Sequence, residues 1–158
     1  MIVVVAAPEN AGARRRVRPH NRGMDVRRAT TPEQIRAAAH LFDDAPRPEP
    51  TAAFLADPRQ HLLIAYLDGA PVGFVSGIVT VHPDKGAELF LMELGVDDAA
   101  QGEGVGTALV QEMCAHAAAL GCTAVWTVTE PDNVAARATY RRAGATSEDM
   151  TVTFVWDL

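Results

Sequence analysis

The chain has few of the residues that mark cross-linked or metal-bound proteins. It has 2 cysteines in 158 residues. Cys114 and Cys122 fall in or just after one predicted helix, which holds them too far apart for a disulfide. We expect reduced structural thiols, with a reactive role as the alternative, and no Cys/His spacing resembles a zinc site. The sequence excludes a disulfide scaffold and predicts no metal.

Long apolar runs are also lacking. None approaches the roughly 20 residues that a membrane-spanning helix needs. The opening "MIVVVAA" is too short for a secretory signal and has no basic segment before it. We therefore expect no membrane association and a cytoplasmic location. Aromatic residues are scarce too, and Trp126 and Trp156 are not interleaved with basic residues as in a nucleic-acid interface.

The net charge of −6 hides a division of the chain into a basic and an acidic part. Residues 1–23 hold five arginines and one acid, a net +4, and the remainder sums to −10. An acidic body disfavours nucleic acid and attracts cationic ligands. The basic segment predicts a disordered leader before an alternative start at Met24, with polyanion binding as the alternative. The length fits one domain over 24–158.

Hydrophobic patterning predicts a mixed α/β protein. A strand at 24–29 precedes a helix at 30–45, with Thr31 as its N-cap. A Pro-rich break at 46–58 contains a short helix. The "DG" pair at 68–69 joins two apolar runs and predicts a hairpin, which continues into a third antiparallel strand. The remaining elements are a helix from Val105, a strand at 123–130, a helix at 131–144 and a strand at 150–158. This order predicts helices flanking a mixed sheet.

A glycine-rich loop, "AAQGEGVGTALV" at 99–110, lies between a strand and a helix. A Walker loop requires lysine after the last glycine, but Thr107 follows Gly106. A dinucleotide fingerprint requires G-x-G-x-x-G, but the spacing is G-x-G-x-G. Glycines before a helix still let backbone N–H groups surround an anion where the helix dipole favours it. The loop predicts a phosphorylated ligand, with a tight turn as the alternative.

The segment "QGEGVG" resembles the Q/R-x-x-G-x-G/A loop of the GNAT N-acetyltransferase superfamily, with Gln101, Gly104 and Gly106 at the patterned positions. "ELGV" resembles the family's fourth strand, and "DNVAARATYRRAGA" resembles its last motif. The resemblance covers 24–158. It implies a GNAT-type mixed, mostly antiparallel sheet flanked by helices, which splays between strands 4 and 5.

The resemblance implies acetyl-CoA as the co-substrate. Its pyrophosphate would lie against the start of the loop helix, and its pantetheine arm in the splay. The implied cofactor-binding residues are Leu94, Gly95, Val96, Gln101, Gly102, Glu103, Gly104, Val105, Gly106, Thr107, Asn133, Ala136 and Tyr140. Glu103 departs from the pattern, because many members carry Arg or Lys there. We expect this acid to weaken CoA binding. For Asn133, a simple helix N-cap is the alternative.

Acetylation of an amine needs a base, because an alkylamine is mostly protonated at neutral pH. In "FLMELGV", alternation places Glu93 on one strand face with Leu89 and Leu91, where desolvation raises its pKa. We expect Glu93 to be the base, with a buried ion pair to Arg27 or Arg28 as the alternative. Glu88 is expected to be solvated. Tyr140 is the expected acid that protonates the leaving thiolate. Without the resemblance, the expectation for Tyr140 is a core residue.

The predicted acceptor is cationic. The residues expected to bind it are Asp43, Asp44, Glu49, His82 and Glu93; a solvated acidic loop is the alternative for the first three. The segments "AHLFDDA…PTAAFL", "ELFLMELGV" and "ATYRRAGA" are similar to the aminoglycoside 3-N-acetyltransferase branch. That branch implies an acidic acceptor cleft and a homodimer. Two alternatives are acetylation of a protein N-terminus or lysine, or of a polyamine or other small amine. A third, of another class, is a non-catalytic acyl-CoA-binding sensor.

Overall fold

The predicted order of helices and strands is found in the part of the chain that the structure, a computed structural model, describes, residues 23–147. The elements are β1 (Met24–Arg28), α1 (Pro32–Ala37), a 3₁₀ turn (Ala39–Leu41), α2 (Pro48–Ala56), β2 (Gln60–Leu67), β3 (Ala70–His82), β4 (Gly86–Val96), a second 3₁₀ turn (Asp98–Ala100), α3 (Val105–Ala119), β5 (Ala124–Trp126) and α4 (Val134–Ala143). Residues 1–22 of the expected leader and the strand predicted at 150–158 lie outside the described residues.

The sheet has the order β1-β2-β3-β4-β5. Neighbouring strands are antiparallel except β4 and β5, which are parallel. The mixed, mostly antiparallel sheet is thus confirmed. Asp68 and Gly69 both have positive φ, 48° and 85°, as a tight hairpin turn requires. The "DG" prediction is confirmed as well.

The β4–β5 ladder is short. It contains three pairs and ends at Phe90 and Trp126, whereas β4 continues to Val96. The strands therefore separate beyond Phe90, which confirms the predicted splay. The strand predicted at 123–130 is correspondingly too long. Its residues after Trp126 leave the ladder, and the Thr127 hydroxyl donates to the Leu91 carbonyl oxygen at 3.0 Å instead.

Helices cover both faces of the sheet. The core under α3 and α4 includes Leu89, Leu91, Val105, Leu109 and Met113. The core under α1 and α2 includes Ala29, Ile35, Ala38, Ile64 and Phe74. The two faces are thus separate environments, and each side chain of the sheet belongs to one or the other.

The helix predicted at 30–45 is shorter than expected. The Thr31 side chain accepts from the Gln34 N–H in a capping box, so the predicted start is confirmed. The α-helix ends at Ala37, however, and gives way to the 3₁₀ turn. Phe42 then leaves the helix and packs its ring 4.5 Å from that of Phe74. Pro46 disfavours helix in the residue before it. The two acids at 43–44 consequently lie in a loop.

A β-bulge in β4 changes which side chains share a face. Ser76 pairs with Glu93, but the next residue of β3, Gly77, pairs with Leu91. Met92 is therefore an extra residue, and it reverses the alternation beyond it. Leu94 and Val96 pack on the same core as Leu89 and Leu91.

The bulge corrects the sequence prediction for the two acids of β4. Glu93 lies on the face opposite Leu89 and Leu91 and is exposed. Simple alternation could not detect the extra residue. The expectation that Glu88 is solvated is also wrong, because this residue is only 7% exposed. Position at the beginning of a strand does not by itself imply exposure to water.

Candidate active site

The splay leaves one edge of β4 without a partner strand in the described chain. Leu94, Gly95 and Val96 pair with β3 on their other edge. Their backbone groups on the β5 side pair with no strand of the described chain and are thus open to a ligand, except for the Val96 carbonyl oxygen, which accepts from Gln101. Gly95 is required here because a Cβ at this position would lie 2.5 Å from Cε1 of Phe74. The three residues predicted to bind the pantetheine arm therefore line the opening.

The glycine loop is tied to the end of β4 by side chains. Gln101 donates through Nε2 to the Val96 carbonyl oxygen at 3.3 Å and to Oδ1 of Asp98 at 2.8 Å. Asp97 accepts from the Ala99 N–H at 2.9 Å. The sequence indicated a backbone contribution from Gln101 but not this bracing role of its side chain.

The loop enters α3 through Gly104, which has a φ of 87°. No atom lies within 4 Å of the position that its Cβ would occupy, and the same holds for Gly102. Both glycines therefore leave room for a ligand to approach the backbone. Glu103 lies between them and is exposed.

The first turn of α3 has N–H groups available for an anion. No side chain caps the helix, and no acid lies in its first turn. The first helical bond runs from the Ala108 N–H to Gly104 O at 3.0 Å. The N–H groups of Val105, Gly106 and Thr107 consequently have no acceptor within the helix, and the helix dipole favours negative charge there. The site fits a pyrophosphate group, apart from the nearby charge of Glu103.

Gly106 also sets how closely three elements approach. A Cβ at this position would lie 3.3 Å from Cγ2 of Thr139 and 3.6 Å from Cγ2 of Val96. The absence of a side chain lets α3, α4 and the end of β4 meet beside the splay. Thr139 directly precedes Tyr140 in α4. The close approach of Gly106 to Thr139 therefore also helps to position Tyr140, the predicted acid.

Tyr140 lies at the start of the splay. Its side chain packs against the core under α3 and α4, and its hydroxyl interacts with Thr127. Burial raises the pKa of the Tyr140 phenol, and the hydrogen bond to Thr127 offsets this only in part. The phenol is therefore protonated at neutral pH and can act as a proton donor. The role of Thr127 in positioning Tyr140 had no signal in the sequence.

The N-terminus of α4 is capped by Asn133. Its Oδ1 accepts from the Ala136 N–H at 3.0 Å, so the simpler of the two predicted roles for Asn133 is confirmed. Ala136 is partly buried and lies on the helix face of Tyr140, one turn before it. Contact of either residue with CoA stays a prediction.

The charge of a second carboxylate acts on Glu93. Desolvation is the largest cause of the raised pKa of Glu93, and the negative charge of Asp43 adds to it. Asp43 lies in the loop between the first 3₁₀ turn and α2, so this loop and the sheet each contribute one acid. The alternative, a buried ion pair of Glu93, is not formed among the described residues. Arg27 pairs with Asp25 instead, and Arg28 lies near the pair formed by His61 and His116.

The other residues predicted to bind the acceptor are more scattered. Asp44 follows Asp43 in the same exposed loop, and Glu49 lies in the exposed first turn of α2. The fold does not bring His82 close to these acids. It lies six residues along β3 from Ser76, the partner of Glu93, which corresponds to ~20 Å. His82 contacts Asp84 instead, at 3.5 Å.

Two absences hold for residues 23–147. No helix there combines the length and the apolar character needed to cross a membrane. No three side chains of His, Cys, Asp or Glu in this range are arranged to hold a metal ion.

These features identify the family. The family model for GNAT acetyltransferases matches residues 26–145. The chain belongs to the GNAT acetyltransferase family. Members of this family use acetyl-CoA, and the start of α3 and the open edge of β4 fit this co-substrate. The predictions of an N-acetyltransferase, of the fold and of the co-substrate are confirmed at this level.

Two characterised relatives are similar in sequence. L-2,4-diaminobutyric acid acetyltransferase of Nocardia farcinica is 37% identical over 87 residues, which cover 52% of this chain and 44% of the relative. N-alpha-acetyltransferase RimI of Mycobacterium tuberculosis is 34% identical over 114 residues, which cover 70% of this chain and 68% of the relative. The chain thus spans less than half the length of the Nocardia enzyme.

Solved structures agree in fold. The aminoglycoside acetyltransferase meta-AAC0020 from an uncultured soil metagenomic sample has a TM-score of 0.78 at 19% identity, over 85% of this chain and 96% of that one. AAC(6')-Iy, in complex with the bisubstrate analogue CoA-S-monomethyl-acetylneamine, has a TM-score of 0.73 at 20% identity, over 87% and 99%. At these identities the likeness shows the fold.

Proposed function

We propose that the protein transfers the acetyl group of acetyl-CoA to a primary amine of a cationic small molecule. The observation that carries this proposal is the position of Glu93 on β4 beyond the end of the β5 ladder, together with the negative charge of Asp43 that acts on it. Two neighbouring carboxylates attract an ammonium group, and desolvation raises the pKa of Glu93, as suits a base. The single-domain reading of 24–158 is part of the same proposal.

Each residue of the site has one step in the proposed reaction. Acetyl-CoA supplies an activated thioester when bound. Glu93 accepts a proton from the ammonium, which frees the nitrogen lone pair to form the N–C bond. The backbone N–H groups near Val96 stabilise negative charge on the carbonyl oxygen. Tyr140 gives a proton to the sulfur as the C–S bond breaks, and the second proton that the nitrogen loses as the amide forms restores the phenol. No acetyl-enzyme is needed, because neither cysteine lies in β4.

For the acceptor we propose an aminoglycoside acetylated at the 3-N position. The supporting observations are the acids at 43, 44, 49 and 93, the acidic body of the chain and the similarity of three segments to the 3-N branch. A structural neighbour has been solved with sisomicin, and AAC(6')-Iy carries the 6'-N designation in its name. The position is therefore decided by analysis of the product. A homodimer is proposed on the same resemblance, and the cytoplasmic location expected from the sequence stays a prediction.

Two other acceptors are favoured by specific relatives. The Nocardia relative is named for L-2,4-diaminobutyric acid, a small molecule with two amino groups, as expected if the two carboxylates bind a diamine. The Mycobacterium relative is an N-alpha-acetyltransferase, which favours a protein N-terminus. Spermidine represents the polyamine alternative, and a lysine peptide represents side-chain acetylation.

The test is release of CoA from acetyl-CoA, followed by thiol titration, with gentamicin, kanamycin, apramycin, spermidine, L-2,4-diaminobutyrate, an N-terminal peptide and a lysine peptide. Turnover of an aminoglycoside at micromolar KM, with NMR of the product locating the new amide at N3, is the expected result. Preference for a peptide would overturn the small-molecule proposal. Binding of acetyl-CoA without turnover of any amine would support the sensor.

A further inference from the structure

Phe90 and Trp126 form the last pair of the β4–β5 ladder. Their ring centroids are 4.3 Å apart, with the planes inclined by 40°. The two strands separate immediately beyond this pair. The aromatic pair is therefore located at the closed end of the splay, and no local pattern indicates that these two rings meet.

The aromatic pair shares a sheet face with Glu93. Phe90 pairs with Ile78, and Glu93 pairs with Ser76. Ser76 and Ile78 are two residues apart on β3, so their partners lie on the same face, ~7 Å apart along the strand. Without the bulge at Met92, Glu93 and Phe90 would face opposite sides.

The two rings are not explained by the packing of the described cores. Val125, between Ala124 and Trp126, packs on the core under α3 and α4, whereas neither Phe90 nor Trp126 is part of either core. Both are partly exposed. The indole N–H is buried and has no hydrogen-bond partner among residues 23–147, so no hydrogen bond within this range anchors the ring. The two partly exposed rings thus present an apolar surface on the sheet face of Glu93.

The combination of an aromatic surface with nearby carboxylates indicates which class of ligand can bind. An aromatic face offers a flat area for apolar contact. The C–H face of a saturated ring that carries amino groups can pack on this area while its ammonium groups meet Glu93 and Asp43. A linear polyamine can meet the carboxylates but has no ring face to place on the aromatic surface.

We propose that Phe90 and Trp126 form the second wall of the acceptor site and select a saturated ring bearing amino groups over a linear amine. This inference rests on the proposed function and specifies its acceptor as an amino sugar or aminocyclitol. The ratio of the KM values for cyclic and linear acceptors tests this inference.

The first experiment compares Phe90→Leu and Trp126→Leu with Tyr66→Leu, which removes a ring from β2. The first two variants are expected to raise the KM for kanamycin roughly 10-fold and to leave the KM values for spermidine and acetyl-CoA within about twofold. Tyr66→Leu is expected to change none of the three. Equal increases for kanamycin and spermidine, or no increase, would overturn the inference.

A second experiment leaves the aromatic pair intact. The protein has 2 tryptophans, so Trp156→Phe makes Trp126 the sole indole. Titration with kanamycin at saturating CoA should then change the emission of Trp126, and spermidine should change it much less. Turnover of kanamycin without any emission change would reject the aromatic wall and leave the proposed function standing. An emission change without turnover would support the wall and reject the proposed function.

Discussion

The carboxylate of Asp43 raises the pKa of the Glu93 carboxyl, although the two residues come from different layers of the fold. The first lies in the loop before α2 and the second in β4, where the sheet opens. The position of this loop therefore influences the proton affinity of the proposed base. This coupling makes the site testable through pH as well as through rate.

Replacement of the proposed base should lower the rate of acetyl transfer. Glu93→Gln removes the proton acceptor but retains the size of the side chain, so we expect kcat to fall by roughly 10²-fold or more. The measurement is steady-state CoA release with the best acceptor of the panel. Glu112→Gln, an exposed acid on α3, is the matched control and should retain the parent rate. A near-normal kcat for Glu93→Gln would remove this role.

Neutralising Asp43 should move the acid limb of the pH profile. The Glu93 carboxyl must be ionised to accept a proton, so kcat/KM falls as pH drops through its raised pKa. Asp43→Asn removes the negative charge that opposes ionisation and should shift this limb to lower pH. Asp44→Asn, at the adjacent position, should leave the limb in place. An unmoved limb for Asp43→Asn would contradict the coupling.

Loss of the phenol should affect turnover without affecting CoA binding. Burial raises the pKa of Tyr140, so its proton is available at neutral pH. Tyr140→Phe retains the ring and should lower kcat by roughly 10²-fold, with little change in the KM for acetyl-CoA. Tyr66→Phe controls for removal of a hydroxyl elsewhere in the sheet. An unchanged kcat would show that the thiolate is protonated by another group.

The two ends of α3 provide a matched test of the CoA loop. Gly104 and Gly121 have φ values of 87° and 82°, and neither has an atom within 4 Å of its Cβ position. Alanine at either position should destabilise the fold by about 1–2 kcal/mol, as measured by chemical denaturation. Only Gly104→Ala should also raise the KM for acetyl-CoA. Equal KM changes in both variants would separate the loop from CoA binding.

A buried histidine pair should make stability depend on pH. His61 is 2% exposed and lies 3.0 Å from His116, Nδ1 to Nε2. Burial is the main cause that lowers the pKa of His61 to about 4, and it lowers the pKa of His116 as well. As pH falls below about 6.5, the unfolded chain binds protons that the folded chain does not. The free energy of unfolding should therefore fall between pH 6.5 and about 4.

Urea denaturation across this pH range measures the effect. The free energy of unfolding should depend less steeply on pH in His61→Leu, because leucine binds no proton in the unfolded chain. The same slope in the variant and the parent would assign the pH dependence to other groups.

Local sequence signals located most of the fold. The capping residue Thr31 and the "DG" hairpin each depend on chemistry within a few residues, and each is found where predicted. The glycine loop could be recognised for the same reason, because glycine is the residue type that allows a backbone to turn sharply. These signals were sufficient for the family and for the position of the loop at the start of α3.

The acceptor end depends on contacts between distant segments. The extra residue at Met92 exists only relative to β3, and simple alternation cannot detect it. The meeting of Phe90 with Trp126 and that of Tyr140 with Thr127 depend on where β4 and β5 separate. The pairing of Asp43 with Glu93 depends on how α1 ends. Such relationships are set by tertiary packing, which local patterns do not encode.

The extra residue in β4 also limits how this strand can vary. Closure of the bulge with all residues retained would restore regular alternation, and it would turn Glu93 toward the core and Leu94 toward the acceptor. That change would bury a charge and expose a leucine. Deletion of Met92 would instead remove the extra residue and leave Glu93 opposite Ser76. Glu93 therefore keeps its place at the site only while the register of β3 with β4 is maintained on both sides of Met92.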